Sequence, residues 1–325
     1  MNMHTNKNSI RPLLTIAIPT FNRANYLKKN LEIIFKQAIS FDGVEIIIID
    51  NASTDNTSDI CKKYLDYELF SYFRLEKNLG MAVSQYECFI KAKGNYICLL
   101  SDDDFLERNG LELINKSIAS NYDLYAFNYK SESSDKLSVP IGPIKSSKFN
   151  FGYELINHPS VGHMSAIVYR RKAMLDELRN LLDIFPIEYF NSTRGIFGIV
   201  FAAVAEKTCS SYYDGDILFS AVEQKKLDYN GLTFLCLKIF TSFSIFRKLN
   251  IVGDEIYDFQ CSLVSKRIIK AYIRWYPTLS IKEMIYVDNL LIPFFSDTFL
   301  KKLTFMIVRV KFVRIFLYKI FQTIL

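Results

Sequence analysis

The chain has 325 residues, of which 50% are hydrophobic, and its formal net charge is +6. This composition excludes disorder over most of the chain, and the length predicts one large domain or two modest ones. The charge is too small for this length to indicate a nucleic-acid partner. The six cysteines include no Cys-x-x-Cys pair and mostly lie in apolar runs, as free buried thiols do, so we expect a reducing compartment.

Apolar runs and helical periodicities alternate over the first 130 residues. Residues 1–11 are polar and lack the pattern of a signal peptide, so we expect a flexible N-terminus. Strands are expected over residues 13–18, 44–49, 70–75, 96–100 and 123–129, the first ending at Pro19 because proline lacks a ladder donor. Helices are expected over about 26–40, around 60–65, and over 81–92 and 107–119. This alternation predicts an α/β fold with a doubly wound, mostly parallel sheet.

Polar loops follow four of the expected strands. They comprise residues 19–23, 50–51, 78–80 and 101–104, the last containing three consecutive aspartates. Because ligands bind beyond the carboxyl ends of parallel strands, we expect these loops to share one rim. Adjacent carboxylates repel one another unless a cation or strong donors hold them, which favours a divalent metal bound against phosphate. The alternative is an Asp that caps a helix beginning near Glu107.

These same segments carry a family resemblance. Residues 15–23, 48–57, 78–80 and 101–104, in this order and spacing, resemble the family 2 glycosyltransferases of GT-A fold. The resemblance covers about residues 12–120, and residues 50–55 with the triple-acid loop are most similar to the abequosyltransferase-like branch of O-antigen enzymes. It implies a GT-A fold and the transfer of a sugar from a nucleotide-diphosphate donor.

The resemblance implies that the rim holds the donor. Its nucleotide contacts would be Pro19, Thr20, Phe21, Asn22, Arg23, Asp50, Asn51, Asn78, Gly80 and Asp102, the last near the ribose. Phe21 would stack on the base or pack in the core, and Arg23 would meet phosphate or hold the loop. Asp103 would be the metal ligand, with Asp104 as a support or second ligand, and their hard oxygens suit Mg²⁺ or Mn²⁺.

Two residues depart from the family pattern. Ser101 replaces the usual first Asp of the Asp-x-Asp loop, and Asn51 stands where many relatives have a second Asp. An amide can donate to N3 of cytosine, whereas a carboxylate only accepts from N3–H of uracil or thymine, so Asn51 favours the hypothesis of a CDP-sugar donor. The alternative is that Asn51 is a turn residue without contact to the base.

The following part of the chain is expected to bind the acceptor. Residues 131–150 should form a polar loop, and residues 161–171 resemble the floor of the family's acceptor site, where His163 would contact a sugar hydroxyl or serve structurally. An inverting transfer needs a general base, for which Glu188 is nearest the expected place and Asp183 is a weaker alternative. Glu188 can equally be a surface acid. Residues 212–216 are typical of a turn that closes the catalytic core.

We therefore expect four regions in the chain. They are a flexible N-terminus at 1–11, a nucleotide-sugar-binding half at 12–130, an acceptor-binding half at 131–216 and a helical region at 217–325. Residues 301–325 combine basic and apolar side chains without any acid, which favours a helix lying on an anionic membrane surface. The alternative is a C-terminal helix packed on a helical bundle with snorkelling lysines.

The predicted function is metal-dependent transfer of a hexose or deoxyhexose, with inversion, to a hydroxyl of a lipid-linked bacterial surface polysaccharide. We expect the enzyme to act at the inner face of the cytoplasmic membrane and to have no nucleic-acid partner. One alternative is a sugar nucleotidyltransferase, which usually begins with a Gly-rich basic loop that is missing here. The other is a catalytically inactive GT-A-like binding protein, against which the intact Asp103 argues.

Overall fold

The computed structural model describes residues 12–41, 43–133, 136–140, 144–150, 152–155, 163–183, 186–187, 204 and 210–222. The chain divides into two compact units, Met1–Glu223 and Gln224–Leu325, and the described residues belong to the first. The expected flexible N-terminus, Glu188 and the basic tail at 301–325 lie outside the described residues. In the part of the chain that is described, no helix is both long enough and apolar enough to cross a membrane.

The first unit is built around one mixed sheet with helices. The strands are β1 (Leu14–Thr20), β2 (Val44–Asp50), β3 (Phe70–Arg74), β4 (Tyr96–Leu99), β5 (Asp104–Leu106), β6 (Leu124–Ser133), β7 (Lys136–Pro140), β8 (Ser147–Phe149), β9 (Ile167–Arg170) and β10 (Ser211–Val222). The helices are α1 (Ala24–Ala38), α2 (Thr57–Lys62), α3 (Met81–Lys91), α4 (Gly110–Ile118), α5 (Gly152–Leu155) and α6 (Arg171–Leu182), with a 3-10 helix at Met164–Ala166. The strand order is β3-β2-β1-β4-β9-β6-β10-β5, with β7 beside β6 and β8 beside β10.

The first four strands form the parallel part of the sheet. β1 pairs in parallel with β2 and β4, and β2 with β3. β2 is buried along its whole length, as expected where helices cover both faces of a parallel sheet. Register places Thr20 beside Asp50 and Asp50 beside Arg74, so these strands end at the same edge. The predicted α/β class is confirmed.

Pro19 does not end β1, contrary to the prediction. The strand continues to Thr20, whose carbonyl accepts the Asn51 N–H, and Ala17 is the last residue of β1 that bonds β4 through its carbonyl. N–H groups of successive residues alternate between the two neighbours, so the missing N–H of Pro19 faces the side of β4. The next bond to β4 would need the N–H of residue 19, so the proline ends pairing with β4, whereas β1 continues beside β2 to Thr20.

Two regions expected as loop or turn are strand instead. β6 continues to Ser133, and β7 and β8 occupy much of the predicted polar loop at 131–150. The predicted turn at 212–216 lies inside β10, where pairing with β6 shifts register between Asp214 and Ile217. The turn-like composition around Gly215 therefore marks a bulge. The expected boundaries at 130 and 216 both fall inside strands of one sheet.

Candidate functional site

The carboxyl ends of β1, β2 and β4 open into a cleft of about 380 Å³. Its lining residues are Pro19, Thr20, Phe21, Arg23, Asn51, Asn78, Gly80, Met81, Ser84, Gln85, Ser101, Asp102 and Met164. The four loops predicted to share a rim are thus brought together. Of the expected nucleotide contacts, only Asn22 and Asp50 are missing from this lining, whereas sequence analysis did not select Met81, Ser84, Gln85 or Met164.

Arg23 bridges the first two aspartates of the acid loop. Its Nη1 donates to Asp102 Oδ1 at 3.0 Å and to Asp103 Oδ2 at 2.7 Å. Thr20 Oγ1 donates to Asp102 Oδ2 at 2.8 Å, and Ser101 Oγ donates to Asp103 Oδ1 at 2.5 Å. Each oxygen of the two carboxylates therefore accepts a hydrogen bond from the chain.

The charges of this trio depend on one another. Burial raises the pKa of Asp102 to about 6, although Arg23 and the hydrogen bond from Thr20 act in the opposite direction. Burial lowers the pKa of Arg23, but the charges of Asp102 and Asp103 outweigh it and raise that pKa above its usual value. The guanidinium stays protonated and is the cation that holds the two adjacent acids together.

Asp104 has a different environment from the other two acids. It lies in β5, and α4 begins only at Gly110 with Asn109 as its N-cap, so the expected helix cap is wrong. Its Oδ2 accepts the Ser165 hydroxyl and lies 3.4 Å from His163 Nδ1. Burial raises the pKa of Asp104 to about 8. Its expected role as a second metal ligand stays a prediction.

His163 is held mainly by aromatic packing. Its ring centroid lies 4.8 Å from that of Tyr129 and 5.1 Å from that of Phe219, on β6 and β10. Burial lowers the pKa of His163 to about 4, so near neutral pH its contact with Asp104 is not an ion pair. Nδ1 makes no hydrogen bond with the described residues. Contact with an acceptor sugar stays a prediction.

Asp183, the weaker candidate base, is the exposed C-cap of α6. Its backbone N–H donates to the Arg179 carbonyl at 3.0 Å. Among the described residues, no hydrogen bond joins it to the cleft. Its role as a base, like that of Glu188, stays a prediction.

Asn51 is clamped by the loop that precedes α3. Its Nδ2 donates to Asn78 Oδ1 at 2.9 Å and to the Gly80 carbonyl at 3.3 Å, and its Oδ1 accepts the Leu79 N–H at 2.9 Å. The backbone partners determine the orientation of the amide, because an N–H only donates and a carbonyl only accepts. Both amide hydrogens are in use, so none is available for cytosine N3. The hypothesis of a CDP-sugar donor thereby loses its chemical basis.

Asn22 and Asp50 do not line the cleft, but they position the loops that do. Asn22 has φ 53, its N–H donates to Ser53 Oγ at 2.9 Å, and its Oδ1 accepts the Thr54 N–H at 2.7 Å. Asp50 accepts the Ser53 N–H at 2.8 Å and the Tyr72 hydroxyl at 2.6 Å. The bonds of Asn22 tie the loop after β1 to the loop after β2, and those of Asp50 tie the end of β2 to its own loop and to β3.

Asn30 holds the acid loop and was missed by sequence analysis. From α1, its Nδ2 donates to the carbonyls of Ser101 at 3.1 Å, Asp102 at 3.4 Å and Asp104 at 3.0 Å. The side chain is fully buried between Leu27 and Leu31 on the apolar face of the helix. A polar residue at an apolar position of an amphipathic helix was the available signal, because buried polar groups need partners.

The sequence profile of "Glycosyl transferase family 2" matches residues 15–177, which is half of the chain. The chain belongs to this family. The match runs from β1 into α6 and contains every loop that lines the cleft. The resemblance expected from the four motifs is confirmed at the level of the family.

Sequence relatives of this family 2 member match about a third of it. Glycosyltransferase GlyA of Streptococcus pneumoniae is 28% identical over 119 residues, covering 36% of this chain and 17% of GlyA. Glycosyltransferase GlyG of the same organism is 30% identical over 107 residues, covering 33% of this chain and 35% of GlyG. TuaG of Bacillus subtilis, provisionally assigned to teichuronic acid biosynthesis, is 32% identical over 104 residues, covering 31% of this chain and 40% of TuaG. The matched segment spans less than half of each relative.

Solved structures support the GT-A fold. S. aureus TarS 1-349 in complex with UDP-GlcNAc has a TM-score of 0.66 at 15% identity, covering 87% of this chain and 80% of that chain. The mannosyltransferase PcManGT from Pyrobaculum calidifontis, in complex with GDP-Man and Mn²⁺, has a TM-score of 0.56 at 14% identity, covering 95% and 84%. At these identities the likeness shows the fold.

The acid loop has the donor chemistry of a divalent-metal site but is not a complete protein cage. Asp103 offers hard carboxylate oxygens, and its side chain is 12% exposed. In the described part of the chain, no group of three His, Cys, Asp or Glu side chains converges on one point. Mg²⁺ usually takes one or two carboxylates and completes its shell with substrate phosphates and water. The residues fit a metal that arrives with a diphosphate.

Proposed function

We propose that this family 2 member transfers a hexose or deoxyhexose from a nucleotide-diphosphate donor to a hydroxyl of a saccharide acceptor. The observation that carries the proposal is the convergence of four loops on one cleft, with polar groups for a nucleotide and Asp103 beside it. The binding of UDP-GlcNAc by TarS and of GDP-Man with Mn²⁺ by PcManGT, which share the fold, supports it.

Different cleft residues would bind the base, the ribose and the diphosphate of the donor. Phe21 and Met81, 39% and 54% exposed at its mouth, offer apolar surface to the base, and Asn51 Oδ1 offers an acceptor to an N–H of the base. Asp102 is suited to ribose hydroxyls and Arg23 to the diphosphate. Asp103 would hold Mg²⁺ or Mn²⁺, which when bound neutralises charge on the leaving diphosphate.

The transfer itself needs one proton to be removed. The acceptor hydroxyl oxygen bonds to the anomeric carbon as the bond from that carbon to the diphosphate breaks, and a base takes the hydroxyl proton. We assign this base to Glu188, with Asp183 as the alternative, and expect inversion at the anomeric carbon. His163 would contact the acceptor within the proposed acceptor half, residues 131–216.

The acceptor in this proposal is a lipid-linked bacterial surface saccharide, on the O-antigen branch of the family. The provisional assignment of TuaG to teichuronic acid biosynthesis is consistent with a surface polysaccharide. The acid-free basic and apolar sequence of residues 301–325 supports attachment to the inner face of the cytoplasmic membrane. Sedimentation with anionic vesicles tests this attachment, because binding that persists after truncation at residue 298 would contradict it.

A donor panel tests the proposed function. We expect the full chain with Mn²⁺ to hydrolyse a UDP- or dTDP-sugar at least about tenfold faster than its CDP counterpart. The reason is that Asn51 Oδ1 can accept the N3–H of uracil or thymine, whereas cytosine has only a lone pair at N3. Hydrolysis is measured by release of nucleoside diphosphate, with and without EDTA. Formation of a sugar nucleotide from a nucleoside triphosphate and a sugar phosphate would instead support a nucleotidyltransferase. Tight donor binding without any turnover would support an inactive binding protein.

A further inference from the structure

Arg23 occupies the position at which one cation serves both Asp102 and Asp103. Its Nη1 lies 3.0 Å from an oxygen of the first and 2.7 Å from an oxygen of the second. We infer that Arg23 competes with the divalent cation for Asp103, so that the metal binds strongly only together with the donor diphosphate. This inference rests on the proposed function and concerns how its metal site is controlled.

Both carboxylate oxygens of Asp103 already accept hydrogen bonds. Arg23 bonds its Oδ2 and Ser101 bonds its Oδ1, so a metal must displace a donor or share an oxygen with one. A metal bound to Oδ2 at its usual distance would lie within roughly 5 Å of the Arg23 guanidinium, where the two positive charges repel strongly. The single negative charge of Asp103 offsets little of this repulsion between the metal and Arg23.

The donor diphosphate removes the repulsion between Arg23 and the metal. Arg23 lines the cleft, and its side chain is 36% exposed, so the guanidinium can reach a ligand there. A guanidinium pairs with phosphate through two parallel hydrogen bonds, which gives Arg23 a new anionic partner when it leaves Asp103. Asp102 keeps its bond from Thr20, and the diphosphate supplies the metal with further oxygen ligands. The diphosphate therefore draws Arg23 away from Asp103, and the metal that replaces Arg23 there leaves the guanidinium free to bind the diphosphate.

This arrangement predicts positive coupling between metal and nucleotide. By linkage, the factor by which nucleotide raises the affinity for the metal equals the factor by which the metal raises the affinity for nucleotide. A structural anchor would behave differently: Arg23 would stay on the two acids, and its removal would not tighten metal binding. The affinity for the metal in the absence of nucleotide therefore distinguishes a competitor from a structural anchor.

The test measures Mn²⁺ binding to the full chain by electron paramagnetic resonance of free Mn²⁺, with and without UDP, against a blank of UDP and Mn²⁺. For the natural sequence, we expect UDP to tighten Mn²⁺ binding by about tenfold or more. In Arg23→Gln, we expect Mn²⁺ alone to bind about tenfold tighter than it binds the natural protein. UDP should then tighten Mn²⁺ binding less than in the natural protein, because only the diphosphate oxygens still contribute. No sugar transfer is needed for this readout.

Arg74→Gln is the matched control, since it removes the same charge at the same edge of the sheet. Arg74 donates to the Ser53 carbonyl at 2.7 Å and lies 3.7 Å from Asp50, so its loss leaves the acid loop paired and should preserve the coupling. Ser101→Ala removes the hydroxyl that donates to Asp103 Oδ1 without changing charge, and we expect a smaller gain in Mn²⁺ affinity than in Arg23→Gln. Arg23→Lys is the second variant if Arg23→Gln does not fold, and its coupling should be intermediate.

Three results would overturn the inference. Equal Mn²⁺ affinity in the natural protein and Arg23→Gln, with the same tightening by UDP in both, excludes competition and leaves the donor function intact. Weaker binding of Mn²⁺ alone in Arg23→Lys than in the natural protein also excludes competition, because lysine forms fewer bonds to the two acids than arginine. Absence of Mn²⁺ binding in every protein, with or without UDP, rejects the metal role in the proposed function and the inference with it.

Discussion

Replacement of Asp103 by asparagine is expected to lower the rate of donor turnover by about 10³-fold or more, because charge stabilisation at a leaving diphosphate is worth several kcal/mol. The amide keeps the size of the side chain and can still accept from Ser101, but it removes the negative charge that faces Arg23 at 2.7 Å. Turnover of the best donor from the panel measures the loss, and Mn²⁺ binding in the presence of UDP should weaken in parallel.

Asp59→Asn is the matched control for this variant. Asp59 lies on α2, its side chain is 74% exposed, and its partner is Lys62 at 2.8 Å, so we expect unchanged turnover. Asp103→Asn and Arg23→Gln should shift Mn²⁺ affinity in opposite directions, which distinguishes a lost ligand from a lost competitor. An Asp103→Asn protein with full turnover and normal Mn²⁺ binding would show that another group holds the metal.

Asn30→Ala is expected to lower the free energy of unfolding of the first unit by about 2 to 3 kcal/mol. The substitution leaves three backbone carbonyls of the acid loop, those of Ser101, Asp102 and Asp104, without their shared donor. Asn30→Asp should destabilise more at similar size, because a carboxylate would then face three carbonyl oxygens. Urea unfolding of the full chain, followed by circular dichroism, measures both effects.

The control lies on the same helix. Asn25 is exposed near the start of α1, and Asn25→Ala should change stability by less than about 0.5 kcal/mol. Because Asn30 holds the acid loop, we also expect Asn30→Ala to lose donor turnover at temperatures where it remains folded. Stability equal to that of Asn25→Ala would contradict the role assigned to Asn30.

Local patterns predicted the elements that build the cleft. The apolar run at 44–49 became β2, and the helical spacing after residue 23 became α1, because hydrophobic periodicity reports which face a segment buries. The shared rim followed from a topological rule, since parallel strands end at one edge. Elements that depend on distant pairing were missed: β5 bonds β10, and β7 bonds the far end of β6.

The sequence by itself determined the fold class, the family and the loops that line the cleft, because these depend on periodicity and on motifs within single segments. Only the tertiary structure decided what each acid contacts. The partners of Asp102 come from 79 and 82 residues away, and Ser165 reaches Asp104 across 61 residues. Such partners meet because β9 inserts between β4 and β6 and α1 packs beside the acid loop, and packing of the whole sheet selects these neighbours.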